Sequence, residues 1–239
     1  MAQENITTIV DELLNGFARL LPKNSPEEQR FGIGLLRALA RRGPLKADDV
    51  AQALDISPVE AKTFLEQSEL GRLVLRDKED RDRILGFWGL ATFPTHHQLA
   101  INGRTLWANC AGDSLFLPVL LGETARIESK DPENGEVIKL TVSPSGVESV
   151  THENVFVSVN APEMWDLSSA EKAIGSVCHY IYYFASRASG QRWVAKHPGT
   201  VLLPLDAAFD LVYRMNSDER VFGKELARRE DESELLQLG

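Results

Sequence analysis

A cysteine and an aspartate stand close together in the segment "LWANCAGDSLFLPVLLG", residues 106–122. Cys110 precedes Asp113 by three positions, and Cys178 is the second of the two cysteines in the 239 residues. Two thiols that converge on one atom suit a soft, low-coordinate metal ion, and a neighbouring carboxylic acid is able to move a proton. Free cysteines are also often small buried apolar side chains. The C-x-x-D pattern alone leaves both interpretations open.

Other thiol and metal chemistries lack their usual companions in this chain. A cysteine protease needs histidine as a base, and a thiol peroxidase needs basic groups around its thiolate. The sequence contains no C-x-x-C, H-E-x-x-H or G-x-S-x-G motif, and no G-x-G-x-x-G after a strand. His96, His97 and His179 have no second ligand at metal spacing, so we predict structural or solvated roles for them rather than zinc binding.

The residues around Cys110 predict how it is positioned. Gly112 to Leu121 form an apolar segment that Gly122 closes, which indicates a short helix that Pro118 limits or bends. Cys110 then lies at the helix N-terminus, where the helix dipole and the unpaired N–H groups are expected to lower the pKa of a thiol. Asp113 follows about one turn later on nearly the same face.

Alternating polarity after residue 95 predicts a β-rich core. "HQLAINGRTLWA" reads as two strands joined by Asn102-Gly103, the sequence favoured by a type I′ hairpin turn. We also predict strands at "GEVIKLTVS", "NVFVSVN" and "SVCHYIYYFAS". In the last of these, alternation places Cys178 and Tyr180 on the same face. "GQRWVAKHPG" predicts a short helix, and residues 217–237 predict a charged terminal helix.

The first part of the chain is predicted to be mainly helical. Residues 5–21 and 27–42 repeat apolar residues at helical spacing, and the second stretch follows Ser25-Pro26, a cap and a first helical residue. Two shorter helical patterns in residues 44–69 and two strands around a charged turn in residues 71–90 complete the order that is typical of a winged helix. Basic and acidic residues balance here, so we do not expect DNA binding.

Composition narrows the setting. The chain is 43% hydrophobic and 26% charged, with a formal net charge of −9, which argues against a phosphate-binding surface and nucleic-acid partners. No apolar run approaches the roughly 20 residues that a membrane-spanning helix needs. The N-terminus carries acidic residues where a signal peptide would be basic. We therefore expect a soluble cytoplasmic protein whose cysteines are not joined in a structural disulfide.

Beyond these local patterns, the chain resembles the alkylmercury lyases, bacterial resistance enzymes that cleave carbon–mercury bonds. The family carries C-A-x-D-[ST]-L-x-x-P-x-L-[IL]-G-x-T-A-R, and this chain reads "CAGDSLFLPVLLGETAR" from Cys110. "LTVSPS" from Leu140, "SVCHYIYYFAS" and "WVAKHPG" match further family segments in the same order. The resemblance covers about residues 72–210. It departs at Asn109, where members often carry an aromatic residue, and at His179, where many carry another cysteine.

The resemblance implies roles for particular residues. Cys110 and Cys178 occupy the positions of the two catalytic cysteines and of the mercury ligands, and Asp113 that of the catalytic aspartate, which also lies beside the metal. The implied reaction is protonolysis of an organomercurial to a hydrocarbon and Hg(II). It needs no cofactor and no membrane partner. Release of Hg(II) to small cytosolic thiols or to a mercuric reductase is also implied.

Together, these observations predict an α+β protein. We expect an N-terminal winged-helix-like helical module in residues 1–75, which covers and shapes a catalytic core in residues 76–239 with a mixed, largely antiparallel β-sheet and short helices. Two alternatives remain open at this point. The chain could sense or sequester soft metals without breaking a bond, or act as a lyase on another organometal such as tin or arsenic.

Overall fold

The computed structural model describes residues 2–228, and side chains from Asn5 onward. The helices are α1 (Ala2–Phe17), α2 (Pro26–Arg42), α3 (Ala47–Leu54), α4 (Pro58–Gln67), α5 (Ala111–Leu121), α6 (Ala170–Ser176), α7 (Arg187–Lys196) and α8 (Leu205–Asn216). The strands are β1 (Val74–Arg76), β2 (Ile84–Phe87), β3 (Leu90–Ala91), β4 (His97–Ile101), β5 (Arg104–Ala108), β6 (Ala125–Lys130), β7 (Val137–Ser143), β8 (Gly146–Val150), β9 (Phe156–Asn160), β10 (Tyr183–Phe184) and β11 (Thr200–Pro204).

The first four helices begin where local sequence signals place them. The Ser25 hydroxyl accepts a hydrogen bond from the Glu28 N–H, while the Glu28 carboxylate accepts one from the Ser25 N–H, and this capping box starts α2. Ser57 and Glu60 repeat the same arrangement at α4. The predicted helices and the strand pair β1–β2 are therefore present in the predicted order. The likeness to a winged helix stays a prediction.

The larger sheet has eight strands in the order β1-β2-β3-β5-β4-β6-β7-β8. All its recorded pairings are antiparallel, so the predicted mixed component is absent from the part of the chain described here. Asn102 (φ 49°) and Gly103 (φ 73°) form the tight β4–β5 turn, as their sequence predicts. A smaller antiparallel sheet has the order β10-β9-β11.

Helix α5 lies at the centre of the molecule. It contacts β4, β5, β6 and β7 of the larger sheet on one side and α8 on another. Every residue of α5 except Asp113 is buried, because the helix is apolar all round and is covered on every face. This central helix carries Asp113, so the site is built from a rigid part of the core.

The N-terminal helices pack directly on the rest of the chain. Helix α1 contacts α8 and the short 3₁₀ helix Pro162–Met164, and the rings of Phe17 and Trp165 stack with their centroids 4.0 Å apart. The division predicted after residue 75 falls inside β1, which shares its sheet with the core strands. It stays a prediction.

The remaining expectations are met in part. The chain has the α+β composition that the sequence predicts. Residues 223–228 are helical, whereas the predicted terminal helix and core extend past residue 228 and so lie outside the described residues. Within residues 2–228, no helix combines the length and the apolar character needed to cross a membrane.

Candidate active site

Cys110 lies between strand β5 and helix α5, where it serves as the helix N-cap. Its backbone is extended (φ −148°, ψ 175°), and its sulfur accepts a hydrogen bond from the Asp113 N–H at 3.3 Å. Gly122 ends the helix in the left-handed conformation (φ 73°). The predicted strand, helix and glycine stop are confirmed.

Cys178 does not lie on a strand, and that prediction is wrong. It begins a 3₁₀ helix, Cys178–Tyr180, which directly follows α6; strand β10 starts only at Tyr183. The reason lies in β9, whose Asn160 Nδ2 donates to the Ser176 carbonyl at 2.7 Å and whose Ser158 Oγ donates to the Tyr180 carbonyl at 2.7 Å. Side chains rather than a neighbouring strand satisfy these carbonyl groups, so the segment curls instead of extending.

The structure brings the three predicted side chains together. Ligand atoms of Cys110, Asp113 and Cys178 all lie within 4.8 Å of one another, and the Cys178 thiol donates to Asp113 Oδ2 at 3.5 Å. Two sulfurs that share one metal ion must lie within about 5 Å, twice a metal–thiolate bond. The arrangement therefore fits a two-coordinate soft metal with a carboxyl group beside it.

Three buried hydrogen bonds tie the two cysteine-bearing segments to each other. The Ala111 N–H donates to the Ile181 carbonyl at 3.1 Å, and the Tyr183 hydroxyl donates to the Ala111 carbonyl at 3.1 Å. The hydroxyls of Tyr183 and Ser114 are 2.8 Å apart. These contacts hold the start of α5 against the chain that follows Cys178, so they fix the relative position of the two thiols.

Burial controls the protonation of all three groups. It raises the pKa of the Cys110 thiol, so the predicted lowering by the helix N-terminus is wrong: loss of solvent outweighs the hydrogen bonds from Cys178 and the Asp113 N–H. The hydrogen bond to Cys110, in which Cys178 keeps its proton, and burial together raise the pKa of Cys178 well above its usual value. Burial raises the pKa of Asp113 to about 6, against the opposing effect of the thiol hydrogen bonds.

The three groups face a largely apolar cavity of about 130 Å³. Four of its apolar lining residues, Phe17, Leu21, Leu73 and Leu75, come from the first 75 residues of the chain. Trp165, Ile174 and Met215 line other parts of its wall. The N-terminal helices therefore help to cover the site, and the cavity is suited to an apolar organic group.

The histidines contribute no ligand to this cluster. His97 is buried, its Nδ1 lies 2.9 Å from Ser129 Oγ, and burial lowers its pKa to about 3, so the ring is neutral. The predicted structural role is met for this residue. Among the described residues, the group formed by Cys110, Asp113 and Cys178 is the one histidine, cysteine and carboxylate cluster that could hold a metal ion.

Sequence reasoning missed the residues that support the site from a distance. They lie 19 or more positions from the cysteine or aspartate that they support, and no local pattern marks them. They are Trp88, Gly89, Ser158, Asn160, Tyr183 and Asn216. Tyr183 alone lay within a segment quoted for the resemblance, but the strand interpretation assigned no contact to its hydroxyl.

Comparison with known proteins agrees with this geometry. The family model described as alkylmercury lyase matches residues 90–216, which include both cysteines and Asp113. The alkylmercury lyase of Staphylococcus epidermidis is 32% identical over 177 residues, which make up 74% of this chain and 77% of that protein. The chain belongs to the alkylmercury lyase family.

Further relatives agree with this membership. The alkylmercury lyase of Pseudomonas putida is 32% identical over 189 residues, 79% of this chain and 84% of that protein. The crystal structure of the mercury-bound form of MerB2 superposes with a TM-score of 0.68 at 22% identity, covering 87% of this chain and 98% of that chain. This structural likeness shows a shared fold. Membership of the alkylmercury lyase family favours an enzyme over a non-catalytic soft-metal protein.

Proposed function

We propose that this member of the alkylmercury lyase family cleaves the carbon–mercury bond of organomercurials by protonolysis, giving a hydrocarbon and Hg(II). The observation that carries the proposal is the cluster of two buried thiols and one carboxyl group, within 4.8 Å of one another, at the wall of an apolar cavity. Cys110 and Cys178 are the mercury ligands. Asp113 carries the proton.

Capture begins at Cys110 in this scheme. Cys178 and the Asp113 N–H both donate hydrogen bonds toward Cys110, and such donors stabilise a thiolate, so Cys110 loses its proton before Cys178. The thiolate attacks R–Hg⁺, and the Asp113 carboxylate accepts the thiol proton. Cys178 then adds its sulfur to the same mercury atom as its own proton leaves, which raises the electron density on the alkyl carbon.

Bond cleavage consumes one of the two thiol protons. The protonated Asp113 gives its proton to the carbon, the carbon–mercury bond breaks with its electron pair on carbon, and R–H leaves. The sum is R–Hg⁺ plus two thiols giving R–H, one Hg(II) held by two thiolates, and one released proton. A pKa of about 6 suits Asp113 for both accepting and giving a proton near neutral pH.

The surroundings support the same reaction. The organic group occupies the apolar cavity, which also excludes water and so keeps the proton on Asp113 for the carbon. The role that we propose for the N-terminal helices is to cover this cavity, with Phe17 and Leu21 in its wall, rather than to bind DNA. The reaction requires no cofactor. Reduced cytoplasmic thiols or a mercuric reductase would take the Hg(II) from the two thiolates.

The test is to incubate the protein with phenylmercury and excess thiol and to measure benzene. We expect benzene from the parent, and a loss of about 10²–10⁴-fold in its release from Asp113→Asn, because the amide keeps the shape but cannot carry the proton. Binding of Hg(II) should persist in Asp113→Asn, since both sulfurs remain.

Other outcomes identify the alternatives. Stoichiometric Hg(II) binding without benzene or methane release would indicate a soft-metal binding protein. Release of hydrocarbon from organotin or organoarsenic compounds, but not from organomercurials, would indicate another organometal as substrate. Benzene release by Asp113→Asn at the parent rate would require a different proton donor.

A further inference from the structure

We propose that the turn formed by Trp88 and Gly89 positions the carboxylate of Asp113, so that these two residues and Asn216 are positioning residues for cleavage. The inference rests on the proposed function. It assigns to the β2–β3 turn the task of aiming the proton carrier, separately from the capture of mercury by the thiols.

The turn has an unusual backbone. Phe87 pairs with Leu90, so Trp88 and Gly89 form a two-residue hairpin turn, with φ 46° at Trp88 and 86° at Gly89. Such a turn needs positive φ at both positions, and asparagine or aspartate is the usual first residue, as in the Asn102–Gly103 turn. A bulky aromatic residue at positive φ is a strained exception, and strain of this kind tends to occur at functional sites.

Gly89 lies directly against the Asp113 carboxylate. A Cβ atom at Gly89 would lie only 2.5 Å from Asp113 Oδ1, and the other nearest atoms would also belong to Asp113. The Gly89 carbonyl also accepts a hydrogen bond at 2.8 Å from the N–H of Asn109, the residue before Cys110. The turn therefore contacts the catalytic segment on both sides of Cys110.

Asn216 holds the turn in place. The Trp88 indole N–H donates to Asn216 Oδ1 at 2.9 Å, and Asn216 Nδ2 donates to the Val212 carbonyl in α8 at 2.7 Å. Asn216 is buried, and Trp88 also packs edge-to-face on Phe222 with centroids 5.1 Å apart. These contacts offset the strain at Trp88 and prevent the turn from moving away from Asp113.

The consequence is a carboxylate with two distinct oxygens. Oδ1 faces the Gly89 backbone, whereas Oδ2 accepts the hydrogen bond from the Cys178 thiol. The oxygen that receives and returns the proton is thus kept on the side of the sulfurs, where the carbon bound to mercury must lie. Catalytic groups need this precision, because a displacement of about 1 Å can lower a rate by about 100-fold.

The test compares Gly89→Ala with Gly103→Ala. Both replace a glycine at positive φ in a two-residue turn, but a Cβ at Gly103 meets nothing within 4 Å. The backbone strain is therefore matched, and only Gly89→Ala pushes on Asp113. Benzene release from phenylmercury and the affinity for Hg(II) are measured for both variants and the parent.

We expect Gly89→Ala to lower kcat by about 10- to 100-fold with little change in Hg(II) affinity, and Gly103→Ala to keep both. Trp88→Phe, which loses the indole N–H but keeps the ring, should show the same selective loss at smaller size. Parent rates in Gly89→Ala, or equal losses of cleavage and capture, would overturn the inference.

The parent separates this inference from the proposed function. A parent that releases no hydrocarbon contradicts the proposed function. A parent that releases benzene at the same rate as Gly89→Ala contradicts the positioning role alone. A crystal structure of Gly89→Ala tests the positioning independently of turnover: we expect a displaced Asp113 carboxylate, and an unchanged one would overturn the inference.

Discussion

The two cysteines occupy neighbouring places in the site but are held in different ways. Cys110 is fixed by its own segment: strand β5 leads into it, its sulfur caps α5, and Gly122 ends that helix twelve residues later. Cys178 lies on a three-residue 3₁₀ helix whose neighbouring carbonyl groups are held by side chains of β9. One thiol is therefore positioned locally, and the other through distant contacts.

This difference teaches where adjustment is expected when mercury binds. A buried 11-residue helix packed against the large sheet resists movement, whereas a short turn held by a few side-chain hydrogen bonds has less to lose. We therefore expect Cys178 to move toward a mercury ion already bound to Cys110. Three predictions test this contrast.

The largest effect is expected from loss of either sulfur. Cys110→Ser and Cys178→Ser should each lower Hg(II) affinity by more than the roughly 100-fold that loss of an outer-shell partner costs, because a hydroxyl is a hard donor. Isothermal titration with Hg(II) and benzene release measure the two losses. Serine can still cap α5, so Cys110→Ala should be about 1 kcal/mol less stable than Cys110→Ser. Equal stability of these two variants would contradict the capping role.

The second prediction concerns Asp113, which lies on the helix of Cys110 but bonds to Cys178. Burial raises its pKa from 3.8 to about 6, so the folded state keeps a proton that the unfolded chain has released. The resulting stability is present below pH 4 and is lost as the pH rises through 6. The loss amounts to roughly 3 kcal/mol for a shift of about two units.

Asp113→Asn should remove this pH dependence and be more stable than the parent at pH 7 by up to that amount. Urea unfolding between pH 4 and pH 8 measures the difference. Glu148→Gln, which removes an exposed carboxylate in β8, is the control for loss of one charge. A parent whose stability increased between pH 4 and pH 7, relative to Asp113→Asn, would contradict the prediction.

The smallest effect compares two fully buried serines. Ser158 bonds to the Tyr180 carbonyl and the Tyr182 N–H beside Cys178, whereas Ser114 bonds to the Ala111 carbonyl and the Tyr183 hydroxyl beside Cys110. Both alanine variants should lose roughly 1–3 kcal/mol of stability.

Only Ser158→Ala should also weaken Hg(II) binding, by about 10-fold, because the Cys178 segment depends on distant contacts while α5 has its own cap. Chemical denaturation and Hg(II) titration measure the two quantities. Equal losses of Hg(II) affinity in the two variants would contradict the contrast between the segments.

The same contrast explains what could be predicted from sequence. Ser25-Pro26, Asn102-Gly103 and the stretch from Cys110 to Gly122 carry their own start, turn and stop signals, and all three predictions were right. The segment around Cys178 alternates as a strand does, but side chains from β9 take its carbonyl groups, and no local pattern records that contact.

The thiol pKa failed for a related reason. A helix N-terminus is visible in sequence, whereas the burial that outweighs its effect on Cys110 depends on how α5 packs in three dimensions. The convergence of Cys110 and Cys178 was predicted through the family resemblance. The supporting contacts of Asn160, Gly89 and Asn216 could not be predicted, because each joins parts of the chain that are distant in sequence.

The cavity wall has a consequence for how such an enzyme diversifies. Phe17, Leu21, Leu73 and Leu75 line the cavity but lie before residue 90, where the match to the family model begins, whereas both thiols and Asp113 lie within that match. Inherited changes in the first 75 residues can therefore reshape the space for the organic group while leaving the reacting atoms in place. The division gives selection two separately adjustable parts, one for the range of toxic compounds accepted and one for the chemistry that destroys them.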